Sequence, residues 1–358
     1  MKILVDCHAF DNEKYQGVTS YIKGLYIEMI PNLPNVEFYM TCHSIENIYP
    51  IFSKFKNVTF LKLKSKNPIF RLIYEIPKLV IRNKIDWLHV QYKSPLLKFC
   101  KEIVTTHDLL FFDYPTFFNL KFRILNRTYY RKSAKRADIL LTVSNYSKER
   151  IHSHFEIPSD EINITPCGLS SALIELSKED HLLTDVINKY NLEEFVLYVS
   201  RIEPRKNHEA IIKAIDTPFL SHLNVVFVGT ETHKNPILEN ELKSSNVNVI
   251  HLQNVSLNEL AALYKSAKLT IFPSHCEGFG IPPLESLIFK TNCICSDSTS
   301  MKDYKEWMID TFNSNDFIDL RSKILKHLNT PFELNTKNII NYYSWSKSAS
   351  ILIKKLKA

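Results

Sequence analysis

Two carboxylates, Glu277 and Glu285, stand eight residues apart in the stretch Phe272-Pro-Ser-His-Cys-Glu-Gly-Phe-Gly-Ile-Pro-Pro-Leu-Glu-Ser286. Between them lie two of the chain's six glycines and the pair Pro282-Pro283. Glycine lets a backbone approach a ligand closely, and proline is preorganised for the first turn of a helix. A helix start presents N–H groups and the positive end of a dipole, which suits an anion. Glu277, on the loop, can meet a neutral polar group. Glu285, in the first helical turn, can accept two hydrogen bonds from a diol. A phosphate with a sugar on either side fits that arrangement.

A second group supplies cations. Val199-Ser-Arg-Ile-Glu-Pro-Arg-Lys-Asn207 follows an apolar run and carries Arg201 and Lys206 around a turn at Pro204. Two such cations can clamp a diphosphate; by themselves they also read as solvated loop charges. His107, in Thr105-Thr-His107-Asp108, reads as a general base or donor at a strand end, or as a structural histidine. Gly17, in Tyr15-Gln-Gly17-Val-Thr-Ser-Tyr21, is a close-approach point or a plain turn. The sequence contains no G-x-G-x-x-G, no Walker A loop and no Asp-x-Asp. NAD or FAD binding is disfavoured, no metal site is expected, and charge on a diphosphate would have to be met by Arg, Lys and backbone N–H groups.

These residues need a scaffold of strand ends and helix starts, and the pattern provides one. Short apolar runs alternate with amphipathic segments, an α/β pattern with parallel sheets. In the first half the strands are expected at 2–7, 37–41, 58–61, 87–91, 103–107 and 139–144, with helices at 19–29, 70–82, 119–136 and 147–154. A second series begins near residue 195, with strands at 195–200, 225–229, 247–252, 269–273 and 293–296. Its helices are expected at 208–215, 235–244, 257–266, 282–289 and 317–328. Two serial units of this kind predict two Rossmann-like domains that meet between Gly168 and Leu192. Ligands of open parallel sheets bind beyond the carboxyl ends of the strands, where Asp6, His107, Ser144, Arg201, Gly229 and Glu277 all fall.

At 358 residues the chain has room for two domains, and 23% charged residues is a globular composition. No apolar run approaches a membrane span. Met1-Lys-Ile-Leu-Val5 runs straight into a strand, and the seven cysteines lack zinc-type spacing, so reduced thiols in a cytoplasmic protein are expected. The net charge of +7 is uneven. Residues 1–170 hold 24 basic against 16 acidic residues; the remainder holds 21 against 22. Lys54–Lys101 has twelve bases and two acids, and Lys121–Arg136 has seven bases and no acid. These runs read as a solvated surface or as attraction to anionic lipid or a phosphorylated acceptor. No nucleic-acid motif accompanies them.

Four motifs in order, Arg201–Lys206, Val226-Phe-Val-Gly229, Leu257-Asn-Glu-Leu-Ala-Ala-Leu-Tyr264 and Glu277-Gly-Phe-Gly-Ile-Pro-Pro-Leu-Glu285, resemble the family 4 glycosyltransferases of the GT-B fold, the retaining type with a Glu-x7-Glu motif. His107-Asp108, Val143-Ser-Asn-Tyr-Ser147, Thr165-Pro-Cys-Gly168 and Tyr343-Ser-Trp345 extend the likeness over nearly the whole chain. The glycine-proline loop is similar to mannosyltransferase-like members that build bacterial surface polysaccharides. The sequence departs from the family in having Gln16-Gly17 where two glycines are common, and Phe289-Lys-Thr-Asn292 where a glycine often precedes the next strand.

The resemblance implies two Rossmann-like domains facing across a deep cleft, with a last helix returning to the first. It implies domains of 1–172 (with about 345–358), which would bind the acceptor, and 173–344, which would bind a GDP- or UDP-linked sugar, with no further cofactor. Arg201 and Lys206 would neutralise the leaving diphosphate and Glu285 would hold the ribose. Glu277 and His107 would lie by the donor sugar. Gly17, Gly229 and the backbone of Phe279, Gly280 and Ile281 would meet sugar and phosphates. The expected activity is retaining, metal-independent transfer of a hexose, GDP-mannose being a candidate donor. The acceptor would be a lipid-linked oligosaccharide or polysaccharide, and the protein is expected in the cytoplasm or peripheral on the cytoplasmic face of the inner membrane. A degenerate, non-catalytic transferase acting as a binding partner and a nucleotide-sugar epimerase are the competing readings.

Overall fold

The computed structural model describes residues 1–12, 16–179, 183–308, 310–330 and 334–358. The chain divides into two compact units, Met1–Gly168 with Tyr343–Ala358, and Leu169–Tyr342. Each is built on one parallel sheet.

The first sheet contains β1 (Lys2–Asp6), β2 (Glu37–Cys42), β3 (Val58–Lys62), β4 (Trp87–Gln91), β5 (Lys101–Thr105), β6 (Ile139–Thr142) and β7 (Ile162–Ile164), in the order β3-β2-β1-β4-β5-β6-β7. The second contains β8 (Phe195–Val199), β9 (Asn224–Val228), β10 (Val249–Leu252), β11 (Leu269–Phe272), β12 (Cys293–Ser296) and β13 (Asp310–Phe312), in the order β10-β9-β8-β11-β12-β13. Both are doubly wound Rossmann orders. The chain reverses direction across the sheet between β1 and β4 and again between β8 and β11, and such reversal points open the crevices where ligands bind. The central strands are buried on both faces, as continuous apolar runs such as Phe195-Val-Leu-Tyr-Val199 require.

Local chemistry sets the helix starts. Asn119 Oδ1 accepts from Phe122 N (2.8 Å) and opens the helix Leu120–Arg136. Ser256 and Glu259 form a reciprocal capping box on Leu257–Ser266. Two expectations shift. The strand placed at 103–107 ends at Thr105, so His107 lies beyond it on the loop. The helix expected over 70–82 is a helical run from Pro68 to Asn83 with a π-turn at Arg71–Glu75. Pro77 follows that turn and cannot donate a backbone hydrogen bond, which favours the wider register just before it. The run buries Leu72, Ile76 and Val80 but leaves Ile69, Phe70, Ile73, Tyr74 and Ile81 exposed.

The last helix, Trp345–Lys357, belongs to the first unit, where it packs along the helix Gln16–Met29. Ser348 Oγ donates to Pro166 O (2.7 Å), and the Trp345 ring meets Tyr21 edge-on at 6.0 Å. Gly24 and Gly168 make room for Trp345. A Cβ on Gly24 would sit 2.1 Å from Trp345 Cε2, and one on Gly168 2.5 Å from the Trp345 nitrogen. In an open helix Gly→Ala stabilises by roughly 1 kcal/mol. At Gly24 the indole reverses the sign, because overpacking costs about 1–3 kcal/mol. Gly24→Ala is expected to lower the thermal unfolding midpoint, and to lower it less in a Trp345→Ala background than in the parent. A Gly24→Ala protein as stable as the parent would contradict the docking of the last helix.

Candidate active site

In the second unit the reversal point lies between β8 and β11, which pair directly through Leu269 with Val196 and Thr270 with Leu197. The two loops that leave these strands therefore rise side by side. The β8 loop runs to a short turn, Pro204–Lys206, closed by Asn207 in the left-handed region (φ 57°). Asparagine tolerates that backbone, and its Nδ2 donates to Pro273 O (3.1 Å) and Ser314 O (2.7 Å), tying the loop to the end of β11. Tyr198, on β8, donates to Lys206 O (2.9 Å) and lies 2.9 Å from Ser274 Oγ.

Glu277 is the centre of this cluster. Lys206 Nζ donates to its Oε1. Arg205 Nη1 donates to its Oε2 (3.2 Å) and to Cys276 O (3.0 Å), and Ser274 Oγ donates to Oε1 (2.9 Å). Burial would raise the carboxyl pKa, but Lys206 and Arg205 outweigh it and hold the group at about 2. Lys206 is lowered from its ordinary value, burial outweighing the attraction of Glu277. Arg205 also pairs with Glu203 Oε1 (2.6 Å), which Arg201 Nη2 approaches at 3.5 Å. Arg201 thus joins the cluster through Glu203.

The loop after Glu277 is fixed from below. Glu277 N donates to Thr299 Oγ1 (2.8 Å), Ser300 Oγ donates to Glu277 O (2.8 Å) and Phe279 O (2.9 Å), and Tyr304 Oη donates to Gly280 O (3.0 Å). Gly280 sits at φ 86°, where other residues are strained. Pro282 opens a seven-residue helix, Pro282–Ile288, with Ile281 as its cap and Glu285 in its first turn. Tyr264 Oη donates to Glu285 Oε2 (3.0 Å). Loss of water around the carboxyl raises its pKa to about 7, and the tyrosine offsets only part of this. The two carboxylates therefore occupy opposite environments, one locked as an anion and one easily protonated, a separation that suits different tasks.

Gly229 serves packing as well as access: a Cβ there would lie 2.1 Å from Ser200 O, so glycine lets β9 end beneath the cation loop. Gly17 falls inside the first turn of the helix Gln16–Met29 rather than on a loop, with nothing within 4 Å of where its Cβ would be. Tyr15, of the same motif, lies outside the described residues.

His107 and Gly17 are in the first unit. His107 is buried; its Nε2 donates to Gln91 Oε1 (2.7 Å), and burial lowers its pKa to about 3. Gln91 Nε2 reaches His89 Nε2 (3.3 Å), and His89 is held by Thr105 Oγ1 (2.8 Å) and Tyr26 Oη (2.7 Å). Tyr92, packed against His107 with ring centroids 5.3 Å apart, takes φ 61° and donates to Asp108 Oδ2 (3.2 Å). A bulky residue in that region marks local strain, which concentrates at functional sites. Sequence reasoning missed Arg205, Ser274, Tyr264, Gln91 and Tyr92. Two signals existed: Arg205 adjoins Lys206, and His89 and Gln91 are polar residues in an otherwise apolar strand.

Two family models match: Glycosyltransferase Family 4 over residues 28–172 and Glycosyl transferases group 1 over residues 183–341. The chain belongs to the family 4 glycosyltransferases. The serotype-specific mannosyltransferase WbdA of Escherichia coli is 30% identical over 234 residues, 61% of this chain and 28% of WbdA. The O-antigen chain mannosyltransferase RfbU of Salmonella typhimurium is 30% identical over 207 residues, 57% of this chain and 53% of RfbU. The matches thus span from about a quarter to about half of these relatives. The glycosyltransferase MJ1178 of Methanocaldococcus jannaschii is 26% identical over 92% of this chain and 91% of its own. Among solved structures, sucrose-phosphate synthase from Thermosynechococcus elongatus has a TM-score of 0.73 at 15% identity over 100% of this chain and 98% of that one. Anabaena Alr3699/HepE in complex with UDP and glucose has a TM-score of 0.73 at 12% identity over 100% and 99%. The fold of this glycosyltransferase is GT-B, two Rossmann-like domains.

The carboxyl environments fix opposite pH signatures. Glu285, raised from 4.5 to about 7, keeps a proton in the folded state that the unfolded chain loses, so its cost grows as pH rises from about 4.5 to 7. Glu277, lowered to about 2, contributes stability above about 4.5 that is lost as pH falls toward 2. At pH 8, Glu285→Gln is expected to raise the thermal midpoint of the ligand-free enzyme and Glu277→Gln to lower it, each by a few degrees at roughly 2–4 °C per kcal/mol for domains of this size. Shifts of the same sign in a pH series of melts would contradict the assignment.

Proposed function

We propose that this glycosyltransferase moves a hexose, with retention of anomeric configuration and without a metal ion, from a nucleoside-diphosphate sugar to a lipid-linked oligosaccharide or polysaccharide acceptor in cell-surface glycan synthesis. The observation that carries the reading is the convergence of Arg205 and Lys206 on Glu277 at the reversal point of the second sheet, with Arg201 one carboxylate away. The similarity to the O-antigen chain mannosyltransferase RfbU and the serotype-specific mannosyltransferase WbdA favours a surface-glycan product and makes GDP-mannose the first donor to test.

In the proposed reaction the bond between the anomeric carbon and the diphosphate oxygen breaks, and a bond to the acceptor oxygen forms on the same face. The acceptor proton passes to the departing phosphate, so no strong protein base is needed. Negative charge grows on the diphosphate as it leaves. Preorganised cations meet it without reorganising, the effect that dominates this kind of catalysis. Arg201 and Lys206 take that role, and Arg205 together with Glu277 sets where the lysine ammonium stands. Glu277 contacts the sugar hydroxyls, Glu285 accepts from the ribose diol, and the backbone of Phe279, Gly280 and Ile281 borders the sugar and phosphates. In the first unit Gln91 fixes which nitrogen of His107 carries the proton, leaving a neutral imidazole to contact the sugar. Gly17 gives the phosphates room to approach the first helix.

Arg201→Ala and Lys206→Ala are each expected to lower turnover about a hundredfold or more, the effect of removing one preorganised donor. Near-normal rates of sugar transfer in both variants would overturn the assignment. Transfer is expected to persist in excess EDTA, since no Asp-x-Asp is present to hold a diphosphate through a metal. Complete loss in EDTA, restored by Mg²⁺ or Mn²⁺, would contradict it. Thermal-shift measurements against GDP, UDP, ADP and their sugars identify the donor, because a ligand that binds the folded state raises its midpoint.

A further inference from the structure

The first sheet has a reversal point of its own, between β1 and β4, and open parallel sheets take ligands at such points. Asp6 closes β1 there and is buried. Its Oδ1 accepts from His8 N (3.2 Å), and its Oδ2 lies 3.1 Å from His8 Nδ1 and 3.3 Å from Arg71 Nε. Burial would raise the pKa of this carboxyl, but Arg71 and then His8 hold it far below the usual carboxylate range. Arg71 comes in from the 68–83 run at its π-turn. Glu75, in the same turn, is also buried and accepts from Lys64 N (2.7 Å) and Ser65 N (3.2 Å), which fastens the run to the loop after β3. The turn thus seats an arginine, 8% exposed, at the tip of β1. π-turns are frequent at functional sites.

Arg71 has more donors than Asp6 can use. The carboxylate meets Nε, and both terminal nitrogens are left without an acid or a hydrogen bond among the described residues. A second cation stands near. Lys93 follows β4 and Tyr92, is half-buried, and has no acid partner among the described residues. Its ammonium lies over the rings of Tyr129 and Tyr130, 5.5 and 5.8 Å from their centroids. Aromatic faces attract a cation without neutralising it. Burial lowers the Lys93 pKa and repulsion from Arg71 lowers it further, so the two charges share one environment. Two cations withdrawn from water beside one acid, itself shared with His8, carry an electrostatic cost that a bound anion would offset. The pair also adjoins His107. Tyr92 packs on the His107 ring at 5.3 Å and stacks on Tyr130 at 4.7 Å.

We infer that Arg71 and Lys93 form a phosphoryl-binding subsite in the first unit, through which the enzyme selects an acceptor that bears a phosphate over a neutral glycan. A planar carboxylate is satisfied by a single arginine fork. Here the cations come from separate elements, the 68–83 run and the loop after β4, and a tetrahedral phosphoryl group can accept from both. Asp6 is a positioning residue: it holds the guanidinium through Nε and leaves the terminal nitrogens to the ligand. The inference rests on the reading of the protein as a sugar transferase whose acceptor lies in the first unit, beside His107. Such a phosphoryl group comes either on the acceptor sugar itself or in the diphosphate that joins a sugar to its lipid.

The test is calorimetry on the full chain with mannose, mannose 6-phosphate, farnesyl diphosphate, inorganic phosphate and glucuronate. Mannose 6-phosphate or farnesyl diphosphate is expected to bind at least about tenfold more tightly than the other three, and the tighter of the two identifies the source of the phosphoryl group. Lys93→Gln, at a position without an ion pair, is expected to fold as the parent does and to weaken that binding about tenfold. Arg71→Lys, which keeps a charge opposite Asp6 but loses the fork, is expected to weaken it about tenfold as well. Lys206→Ala is expected to leave it unchanged. Loss in Lys206→Ala with parental binding in Lys93→Gln overturns the proposal, by placing the anion at the Glu277 cluster. Binding of mannose, inorganic phosphate or glucuronate as tight as that of the phosphoryl probes overturns it, as does binding of none of the five. No arm requires turnover. A protein that transfers sugar but fails these arms defeats this proposal alone. One that binds a phosphoryl probe through Lys93 without transferring sugar leaves the subsite standing and contradicts the transferase reading.

Discussion

The pairing of Glu277 with Lys206 and Arg205 is the constraint on which the second unit's site depends. A largely buried carboxylate costs several kcal/mol in desolvation unless cations and hydrogen bonds compensate it, and here two cations and the Ser274 hydroxyl do so. That compensation requires two loops from strands far apart in sequence to stand side by side, which the reversal between β8 and β11 provides. The supporting residues then follow. Asn207 takes a left-handed backbone to turn the lysine inward, Gly229 gives up its side chain so the cation loop can lie low, and Thr299 and Ser300 hold the other loop by its backbone. In the ligand-free state the acid keeps the lysine in place. A diphosphate arriving there would meet cations already oriented and already stripped of most of their water, the condition under which electrostatic stabilisation is strongest.

The first unit solves a related problem with neutral groups. At the ends of β4 and β5, Gln91, His89 and His107 form a buried hydrogen-bonded series, and burial keeps both imidazoles neutral. Tyr92 accepts an unfavourable φ to lie between His107 and Tyr130, stacking on the latter at 4.7 Å. The same unit receives the last helix through Trp345, so residues from both ends of the chain build it. Charge is exported to its surface, where the helix Leu120–Arg136 carries seven cations, of which Arg136 pairs with Glu102 and Arg131 and Lys135 with Glu156.

Much of this was legible in the sequence, and the limits have physical causes. Long apolar runs such as Phe195–Val199 and the loop Glu277–Glu285 announced themselves, because strand burial and glycine-proline turns are local demands. The edge strands Ile162–Ile164 and Asp310–Phe312 were not anticipated, since three residues at a sheet margin carry too little pattern. The π-turn at Arg71–Glu75 hid inside a helical periodicity that it shifts by one residue. Arg205 was passed over because its value depends on Glu277, which is 72 positions away. Gln91 was passed over for the same reason, its partner His107 lying on the next strand's loop. Residues that do chemistry showed through their type; residues that aim them showed only once the sheet order was known.

The central claim is that the cations around Glu277 exist to receive a diphosphate, and comparative calorimetry of nucleotide binding tests it most directly. For the preferred base, the nucleoside diphosphate is expected to bind far more tightly than the nucleoside, and that advantage is expected to shrink sharply in Lys206→Ala while nucleoside affinity stays the same. A diphosphate that binds Lys206→Ala as tightly as the parent would show that the cluster serves only to hold the loops together.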